Sequence, residues 1–274
     1  MNDIWNLRQN SVILHTRYWK LSCFWMESGC ISLDNYRPIT LEQMSAVKLM
    51  NRIDTKFVTN RRLLMRLLSM AEKSYFAQEI DGKRVASYHT LYFDTAANTM
   101  YNAHQNGKKN RQKLRVRSYV DSDQHFLEVK TKNNHGRTKK KRVQMEGDSL
   151  QPYFGFLNER LWLNPEDMLP KIENNFYRIT LVNDDMSERL TIDHDLSFRN
   201  LETGNSISLD DVVIIELKRD GLKPSPILPI LNELRIFPMG FSKYCIGMAM
   251  TNPNLKRNRF KERIRTITNK IINK

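Results

Sequence analysis

Residues 112–117 read QKLRVR and residues 126–132 read FLEVKTK, and charged and apolar side chains alternate in both stretches. Successive side chains of a β-strand point to opposite faces, so each stretch predicts a strand with one charged and one apolar face. The turn-forming residues DSDQ at 121–124 join the two stretches, which predicts an antiparallel pair. The apolar face, which must pack against a core, comprises Leu114, Val116, Val120, Leu127 and Val129.

Basic residues dominate the surroundings of this strand pair. Between Lys108 and Arg142 the sequence holds thirteen Lys or Arg residues and only three carboxylates. Two like charges about 6 Å apart repel by a few kcal/mol at an effective dielectric constant of roughly 20, so a face this dense in cations needs a compensating anion. The pattern therefore predicts a polyanionic ligand, either a phosphate chain or a nucleic acid.

The composition agrees with this prediction and limits the class of protein. The chain has 274 residues, 40% of them hydrophobic, and a formal charge of +14, which favours one domain and an anionic partner. Three scattered cysteines are too few for a disulfide framework or a four-ligand zinc site, which favours a reducing, cytoplasmic setting. No apolar run reaches about 18 residues, so we expect neither a membrane span nor secretion.

Alternation and turn residues predict a mainly antiparallel β protein with helices between some of the strands. The predicted strands cover residues 53–59, 86–93, 112–121, 124–132, 138–145, 172–183, 189–195, 197–203 and 211–219. The predicted helical segments are residues 61–73, residues 148–170, a helix introduced by Pro224, Pro226 and Pro229, and the tail from Lys256. About eight antiparallel strands favour an α+β fold in which an eight-stranded β-barrel forms a tunnel and helices pack outside it.

Both ends of the chain differ from the predicted barrel domain at residues 36–252. Residues 1–35 carry three of the four tryptophans without a regular period, and we interpret them as an N-terminal appendage, either disordered or produced by a misassigned translation start. Residues 253–274 predict a basic C-terminal helix with Phe260, Ile264 and Ile267 along one stripe. Two hypotheses stay open for this helix: a solvated surface helix, or one that docks on an anionic membrane surface or a membrane-protein partner.

Familiar catalytic motifs are missing from the sequence. There is no P-loop motif, dinucleotide-binding glycine motif, GxSxG nucleophile motif or HExxH zinc motif, and the six histidines show no ligand spacing. These absences disfavour the P-loop, Rossmann and hydrolase classes. The alternating charged strands are therefore the informative feature of the sequence.

Charged faces recur in the second half of the chain. In residues 214–218 (IIELK) a glutamate and a lysine share a face, as they do in residues 126–130 (FLEVK). If these faces point inward, the lumen can bind a phosphate chain, because guanidinium and ammonium groups bind phosphate oxygens. A carboxylate among the cations can hold a divalent metal that bridges phosphates, and Glu216 is the best candidate for that role. The same alternation occurs at residues 52–56, 177–181 and 189–193.

Several motifs, in their order and spacing, resemble the triphosphate tunnel metalloenzymes, and specifically the polyphosphate polymerase domain of vacuolar transporter chaperone (VTC) proteins. The resemblance covers roughly residues 36–252, and no single motif is specific by itself. The motifs are Arg52-x-Asp-x-Lys56-Phe57, Tyr92-Phe-Asp-Thr95 with Tyr101 and His104, Lys113-x-Arg-x-Arg117, Glu128-x-Lys130, residues 136–142, Tyr177-Arg178, Glu188-Arg-Leu-Thr-Ile-Asp193, Glu216-x-Lys218 and Phe241-Ser-Lys-Tyr244.

The resemblance implies a tunnel in which ATP donates its terminal phosphoryl group to a growing polyphosphate chain. It implies Glu216 as the anchor of Mn2+ or Mg2+. The implied catalytic residues are Arg115, Arg117, Lys130, Arg178 and Lys218. The implied phosphate-binding residues are Lys56, His104, Lys141, Arg189, Ser242 and Lys243.

Two positions depart from the pattern of related proteins. Hydrolytic branches of the superfamily open with Glu-x-Glu-x-Lys, whereas this chain has Arg52-Ile-Asp54-Thr-Lys56, which supplies fewer carboxylates for a metal-activated water. His104 stands where some polymerase relatives carry an arginine.

We therefore expect an ATP-dependent polyphosphate polymerase, a phosphotransferase with ATP, triphosphate and polyphosphate as ligands. A metal-dependent triphosphatase or nucleoside triphosphatase on the same tunnel is one alternative, and a noncatalytic module that binds RNA or polyphosphate is another. The carboxylates Glu128 and Glu216 disfavour a specific nucleic-acid partner, because a nucleic-acid binder gains from unrelieved positive charge. The expected location is the cytoplasm, and the basic tail adds the hypothesis of peripheral attachment to the inner face of the membrane.

Overall fold

The structure, a computed structural model, describes residues 31–45, 52–221 and 223–272. The appendage predicted at residues 1–35 lies almost wholly outside the described residues. From Leu33 onward the chain forms one compact unit, which contains the predicted barrel and the basic tail. No described helix is long and apolar enough to cross a membrane.

The described strands form one sheet, and every pairing within it is antiparallel except that between its first and third strands. The strands are β1 (Arg37–Ile39), β2 (Arg52–Asn60), β3 (Tyr75–Gln78), β4 (Val85–Asp94), β5 (Arg111–Tyr119), β6 (Gln124–Lys132), β7 (Thr138–Met145), β8 (Leu169–Asn183), β9 (Glu188–Asn200), β10 (Ser206–Leu209) and β11 (Val212–Asp220). Hydrogen bonds connect the principal strands in the order β2-β11-β9-β8-β4-β5-β6-β7. The mainly antiparallel fold class predicted from the sequence is confirmed.

Helices pack around and at one end of this sheet. The α-helices of the described residues are α1 (Leu41–Ser45), α2 (Arg61–Ala71), α3 (Thr99–Gln105), α4 (Phe154–Asn158), α5 (Ile227–Glu233), α6 (Lys243–Thr251) and α7 (Asn258–Thr266). The predicted helical section at 148–170 contains only α4 and short 3-10 turns, and β8 already begins at Leu169. Helix α7 continues directly into a π-helical segment, Ile267–Ile272.

Strand β9 corrects the prediction of two strands at 189–195 and 197–203. The chain continues as one strand because a bulge, rather than a turn, changes the phase of its alternation. Asp195 has a φ of 49°, and the register with β8 shifts between Asn175 and Tyr177. An extra residue in one strand of an antiparallel pair bends the strand without ending it.

The sheet curls so that distant strands face one another across its concave side. Four strands separate β6 from β11 in the hydrogen-bonded order, yet Lys130 of β6 lies within electrostatic range of Glu216 of β11 and Lys56 of β2. Among the described residues no ladder joins the two end strands, β2 and β7, so hydrogen bonds do not close the barrel. The tunnel is a strongly curved open sheet.

The apolar side of the strand pair β5–β6 faces outward into a core, as predicted. Leu114, Leu127 and Val129 are buried with Met145 and Leu157. Val120 is a correction, because it is 54% exposed in the 3-10 turn Val120–Ser122 that follows the end of β5. The alternation of a strand does not extend into that turn, so Val120 has no place on the apolar face.

Helix α6 fills one end of the concave side with apolar side chains. Tyr244 and Met248 of α6 are buried against Phe176 and Phe198 of the sheet. Gly247 allows this close approach, because a Cβ added there would lie 2.5 Å from Phe198 Cδ1 and 2.8 Å from Ile172 Cδ1. The concave side thus has an apolar end covered by α6 and a charged part that α6 leaves uncovered.

Replacing Gly247 with alanine should therefore lower the free energy of unfolding by about 1–3 kcal/mol, because two core side chains must move to accommodate the methyl group. Gly155→Ala in α4 is the matched control, since an added Cβ meets nothing within 4 Å there. The control should stabilise by roughly 0.4–1 kcal/mol, because alanine has less conformational freedom than glycine in the unfolded chain. Chemical denaturation of the two variants measures both values, and an equal response at the two glycines would contradict the packing of α6.

Candidate functional site

The concave side of the sheet, hereafter the concave face, gathers most of the charged residues predicted from alternation. Paired residues of neighbouring strands share a face, so the register fixes which side chains lie together. The predicted residues that the register places on the concave face are Lys56, Arg115, Arg117, Lys130, Arg178, Arg189, Glu216 and Lys218. Ser242 and Lys243 approach it from the start of α6.

Glu216 sits between two lysines of the concave face. Its Oε1 accepts a short contact from Lys56 Nζ, and its Oε2 lies 2.9 Å from Lys218 Nζ. Burial alone would raise the pKa of the Glu216 carboxyl, but Lys218 and Lys56 hold that pKa far below its usual range. Burial lowers the pKa of Lys218 to about 8, although Glu216 opposes that shift. This carboxylate stays ionised at every physiological pH.

Asp193 forms the second ionic group of the concave face. Its two carboxylate oxygens lie 2.5 Å from Arg178 Nε and 2.8 Å from Arg178 Nη2, and Lys243 Nζ contacts the same carboxylate. Burial favours the neutral acid, but Arg178 and Lys243 hold the pKa of Asp193 well below its usual range. The ammonium of Lys243 also lies 4.0 Å from the centre of the Phe176 ring, and burial lowers the Lys243 pKa to about 7.

Glu128 forms the third ionic group and is fully buried. Arg115 binds it with Nε at 2.7 Å and Nη2 at 2.5 Å, and Lys140 Nζ lies 2.8 Å away. Burial would raise the pKa of Glu128, but Arg115 and Arg117 outweigh that effect and lower the pKa to about 2. Each carboxylate of these groups therefore neutralises part of a larger set of cations.

Two cations of the concave face, the buried Arg117 and the solvent-exposed Lys130, have no ion-pair partner in the described part of the chain. Arg117 is 8% exposed, its Nε has no hydrogen-bond acceptor, and its guanidinium lies 5.6 Å from the Tyr88 ring. Burial, with the neighbouring Arg115 and Arg178, lowers the pKa of Arg117 to about 10. Desolvation, with the neighbouring cations Arg115 and Lys56, lowers the pKa of Lys130 to about 8. Buried charge without a counter-ion is costly, so Arg117 favours an anionic ligand, and the exposed Lys130 adds a second unpaired positive charge to the same face.

The structure places Lys141 on the wrong face for phosphate binding, which corrects its predicted role. Lys141 pairs with the buried Val129 across the β6–β7 ladder, so it shares the convex side with Val143. Lys140 occupies the concave face instead and contacts Glu128. The run KKKR at 139–142 does not show which phase is inward, but counting back from the apolar Val143 would have identified Lys140.

His104 lies beside the concave face rather than on it. Its Nδ1 is 3.0 Å from Cys245 Sγ, and its ring packs edge-on against Phe260 of α7. Burial, together with Lys113 and Arg111, lowers its pKa to about 3, so the imidazole is neutral. A neutral histidine does not supply the positive charge of an arginine. Lys113, which the predicted site omitted, lies next to this position, and its Nζ donates a hydrogen bond to Ser242 Oγ at 2.7 Å.

The residues of the concave face can hold a divalent metal only if substrate phosphates supply some of its ligands. Glu216 is a single carboxylate held by two lysines, and the described residues contain no group of three His, Cys, Asp or Glu side chains that could hold an ion. Mg2+ and similar ions are commonly bound by one or two carboxylates plus substrate phosphates. We therefore expect Glu216 to hold a metal whose remaining ligands are phosphate oxygens and water.

Residues 51–252 match the sequence model of the VTC domain family. The chain belongs to this family. The match covers β2 to β11 and α6, which confirms the resemblance inferred from the motifs. It ends before α7, so the basic tail of this VTC domain lies beyond the matched residues.

Comparison with known proteins gives fold likenesses but no curated relative. No curated protein matches this VTC domain. A putative adenylyl cyclase from Hippeastrum, described with a dominant triphosphatase activity, is 16% identical with a TM-score of 0.44, and the alignment covers 73% of this chain and 96% of that one. A putative adenylate cyclase from Vibrio parahaemolyticus is 10% identical with a TM-score of 0.44 over 73% and 99% of the two chains. A Pyrococcus horikoshii protein is 12% identical with a TM-score of 0.41 over 73% and 98%.

Proposed function

We propose that this VTC domain is an ATP-dependent polyphosphate polymerase that uses the concave face as its active site. The observation that carries the proposal is the uncompensated positive charge of the buried Arg117 and the exposed Lys130, among partly neutralised neighbours. A chain of phosphates supplies evenly spaced negative charge that such a face can bind along its length. Membership of the VTC domain family supports an enzyme that acts on triphosphate or polyphosphate.

The proposed reaction needs no general base. The terminal phosphate of the growing chain is already ionised, so its oxygen can attack the γ-phosphorus of ATP directly. A bond forms between these two atoms while the bond from the γ-phosphorus to the β–γ bridging oxygen breaks, and ADP leaves. Positioning of both reactants and neutralisation of their charge then account for the rate.

The residues of the concave face supply these two effects. Arg115, Arg117 and Arg178 present guanidinium groups that bind non-bridging phosphate oxygens, and Lys130 and Lys218 add point charges. Lys56, Arg189, Ser242 and Lys243 are proposed to bind the flanking phosphates. A divalent ion, Mn2+ or Mg2+, bound with Glu216 would neutralise charge on the transferred and leaving phosphates.

Incubating the purified protein with ATP and Mn2+ tests the proposal. We expect polyphosphate and ADP, with the polymer resolved on a gel and free phosphate measured in parallel. Lys141→Gln is a suitable control, because Lys141 lies on the convex side and its loss should leave polymer formation unchanged. Free phosphate without polymer would instead assign a triphosphatase, and neither product would leave a noncatalytic polyanion-binding module.

Glu216→Gln should abolish metal-dependent polymer formation, with a loss of at least about a hundredfold, because the metal loses the anionic protein ligand proposed for it. Triphosphate binding should persist within about tenfold, since removing a negative charge from a cationic face does not remove the groups that bind phosphate. Enzyme assays across a manganese titration, with binding measured separately, check both effects. A variant whose manganese titration matches that of the parent would refute the metal assignment.

A further inference from the structure

Basic side chains continue beyond the concave face at the end where α6 packs. Along β5, Arg117, Arg115, Lys113 and Arg111 follow one another at every second residue, so the row spans roughly 20 Å. Lys132 of β6 pairs with Arg111 at the far end of the row. This row passes the start of α6, where Lys113 donates to Ser242 Oγ.

Helix α7 adds two arginines to the end of this row. The Arg259 guanidinium reaches the loop between α3 and β5, where its Nη1 lies 2.7 Å from the position of a Cβ on Gly107. The Arg263 guanidinium reaches the loop before α6, with its Nη2 3.7 Å from the corresponding position on Gly240. Both arginines contribute to the positive field at His104, as Arg111 and Lys113 do. The four cations therefore converge on one region.

No ion pair among the described residues involves any of these four cations. The remainder of α7 is different, because Arg265 contacts Glu262 at 3.7 Å on another side of the helix. The helix is fixed in place by Phe260 and Ile267, which are buried in the core with Tyr101 and Tyr244. The apolar stripe of the tail thus packs on the domain and is not exposed for insertion into a membrane. The basic side chains of α7 are the groups that remain accessible to a ligand.

We propose that Arg111, Lys113, Arg259 and Arg263 form an accessory polyphosphate-binding subsite that holds the part of the polymer lying outside the concave face. The inference rests on the proposed function, because a growing chain must leave the active site along some path. The β5 row provides a continuous line of cations to this region, and α7 lies beyond the residues shared with the VTC domain family. The subsite therefore combines two residues of the matched domain, Arg111 and Lys113, with two of the tail, Arg259 and Arg263.

Length dependence distinguishes this subsite from the concave face. A triphosphate is shorter than the β5 row and can bind among Arg115, Arg117 and Lys130 alone, whereas a long polyphosphate can contact both regions at once. Removing the α7 arginines should consequently weaken the binding of long chains and spare triphosphate. If the arginines acted only through the net charge of the protein, removing any two of them would weaken the binding of both ligands by amounts that depend only on the charge of each ligand.

The test uses the full chain with Arg259→Gln and Arg263→Gln combined, and Lys261→Gln with Arg265→Gln as the matched control. The control removes the same charge from the opposite side of the same helix. Affinities for triphosphate and for long-chain polyphosphate are measured without ATP. We expect the first variant to bind the long chain about tenfold more weakly while its triphosphate affinity changes less than about twofold. The control should change either affinity less than about twofold.

Three results would overturn the inference: undiminished long-chain binding, an equal loss for triphosphate, or an equal loss in the control.

Flotation with phosphatidylglycerol vesicles distinguishes binding to a lipid surface from binding to a phosphate chain. Loss of vesicle binding with intact polyphosphate binding would assign the arginines to a membrane. The salt dependence gives a further readout, because losing two phosphate contacts should reduce the slope of log affinity against log salt by about two.

The accessory subsite and the proposed polymerase activity can be refuted separately. A protein that shows the predicted length dependence but makes no polymer from ATP would refute the proposed activity and retain the subsite. A protein that makes polymer but shows no length dependence would do the opposite.

Discussion

Replacing Arg117 with methionine should reduce polymer formation by at least about a hundredfold and leave the folded protein as stable as the parent or more stable. The rate falls because a guanidinium that stabilises charge on the transferred phosphate is lost. Stability does not fall because Arg117 has no counter-ion and is repelled by Arg115 and Arg178, so its removal relieves an unfavourable interaction. Polymer assays and thermal melting without ligand measure the two effects.

Arg115→Met is the matched comparison two residues away on the same strand. It should also lose activity, but it should melt at a lower temperature, because Arg115 neutralises the fully buried Glu128. Removing one partner of a buried ion pair costs several kcal/mol, which Lys140 offsets in part. If both variants shifted the melting temperature in the same direction, the distinction between paired and unpaired cations would be wrong.

The second large effect is expected for Asp193→Asn, which should lower the free energy of unfolding by about 3 kcal/mol. The substitution leaves the Arg178 guanidinium and the Lys243 ammonium buried without their shared carboxylate. Triphosphate should restore more stability to this variant than to the parent, because the ligand replaces the missing negative charge and binds only the folded state. Denaturation with and without triphosphate measures both quantities, with sulfate at equal ionic strength as the control anion.

The pH dependence of this variant has a definite sign. The pKa of Asp193 is lower in the folded state than in the unfolded chain, so its stabilising contribution is present above the unfolded pKa of about 3.9 and is lost as the pH falls through the folded pKa. The stability difference between parent and variant should therefore shrink as the pH falls below about 4 toward the folded pKa of Asp193. A difference that vanished near neutrality would exclude an ionised Asp193 as the cause.

Alternation predicted the strands that form the concave face because each strand has one apolar side that packs against a core and one side that carries charged residues. It also predicted most residues of that face, from Lys56 on β2 to Lys218 on β11. Lys141 shows the limit of the method, since a run of four basic residues contains no apolar position to set its phase. The apolar residues that follow, Val143 and Met145, contain the missing information.

The partners of these charges could not be predicted from single strands. Lys243 and Asp193 are far apart in the chain and meet because α6 packs over the apolar end of the concave face. The same packing buries Phe260 of the tail, whose stripe resembles that of a membrane-surface helix in sequence alone. Both outcomes depend on the close approach at Gly247, which has no local sequence signature.

The ionic groups of the concave face also constrain how the strands can align while the chain folds. In the native register of β2 and β11, Lys56 lies opposite Glu216. A slip of one residue would turn every side chain of a strand to the other face, and a slip of two would set Lys56 opposite Lys218 or Ile214. Each misaligned pairing loses the attraction, and one of them adds repulsion. The carboxylate that is proposed to hold the metal therefore also favours the correct alignment of the two strands.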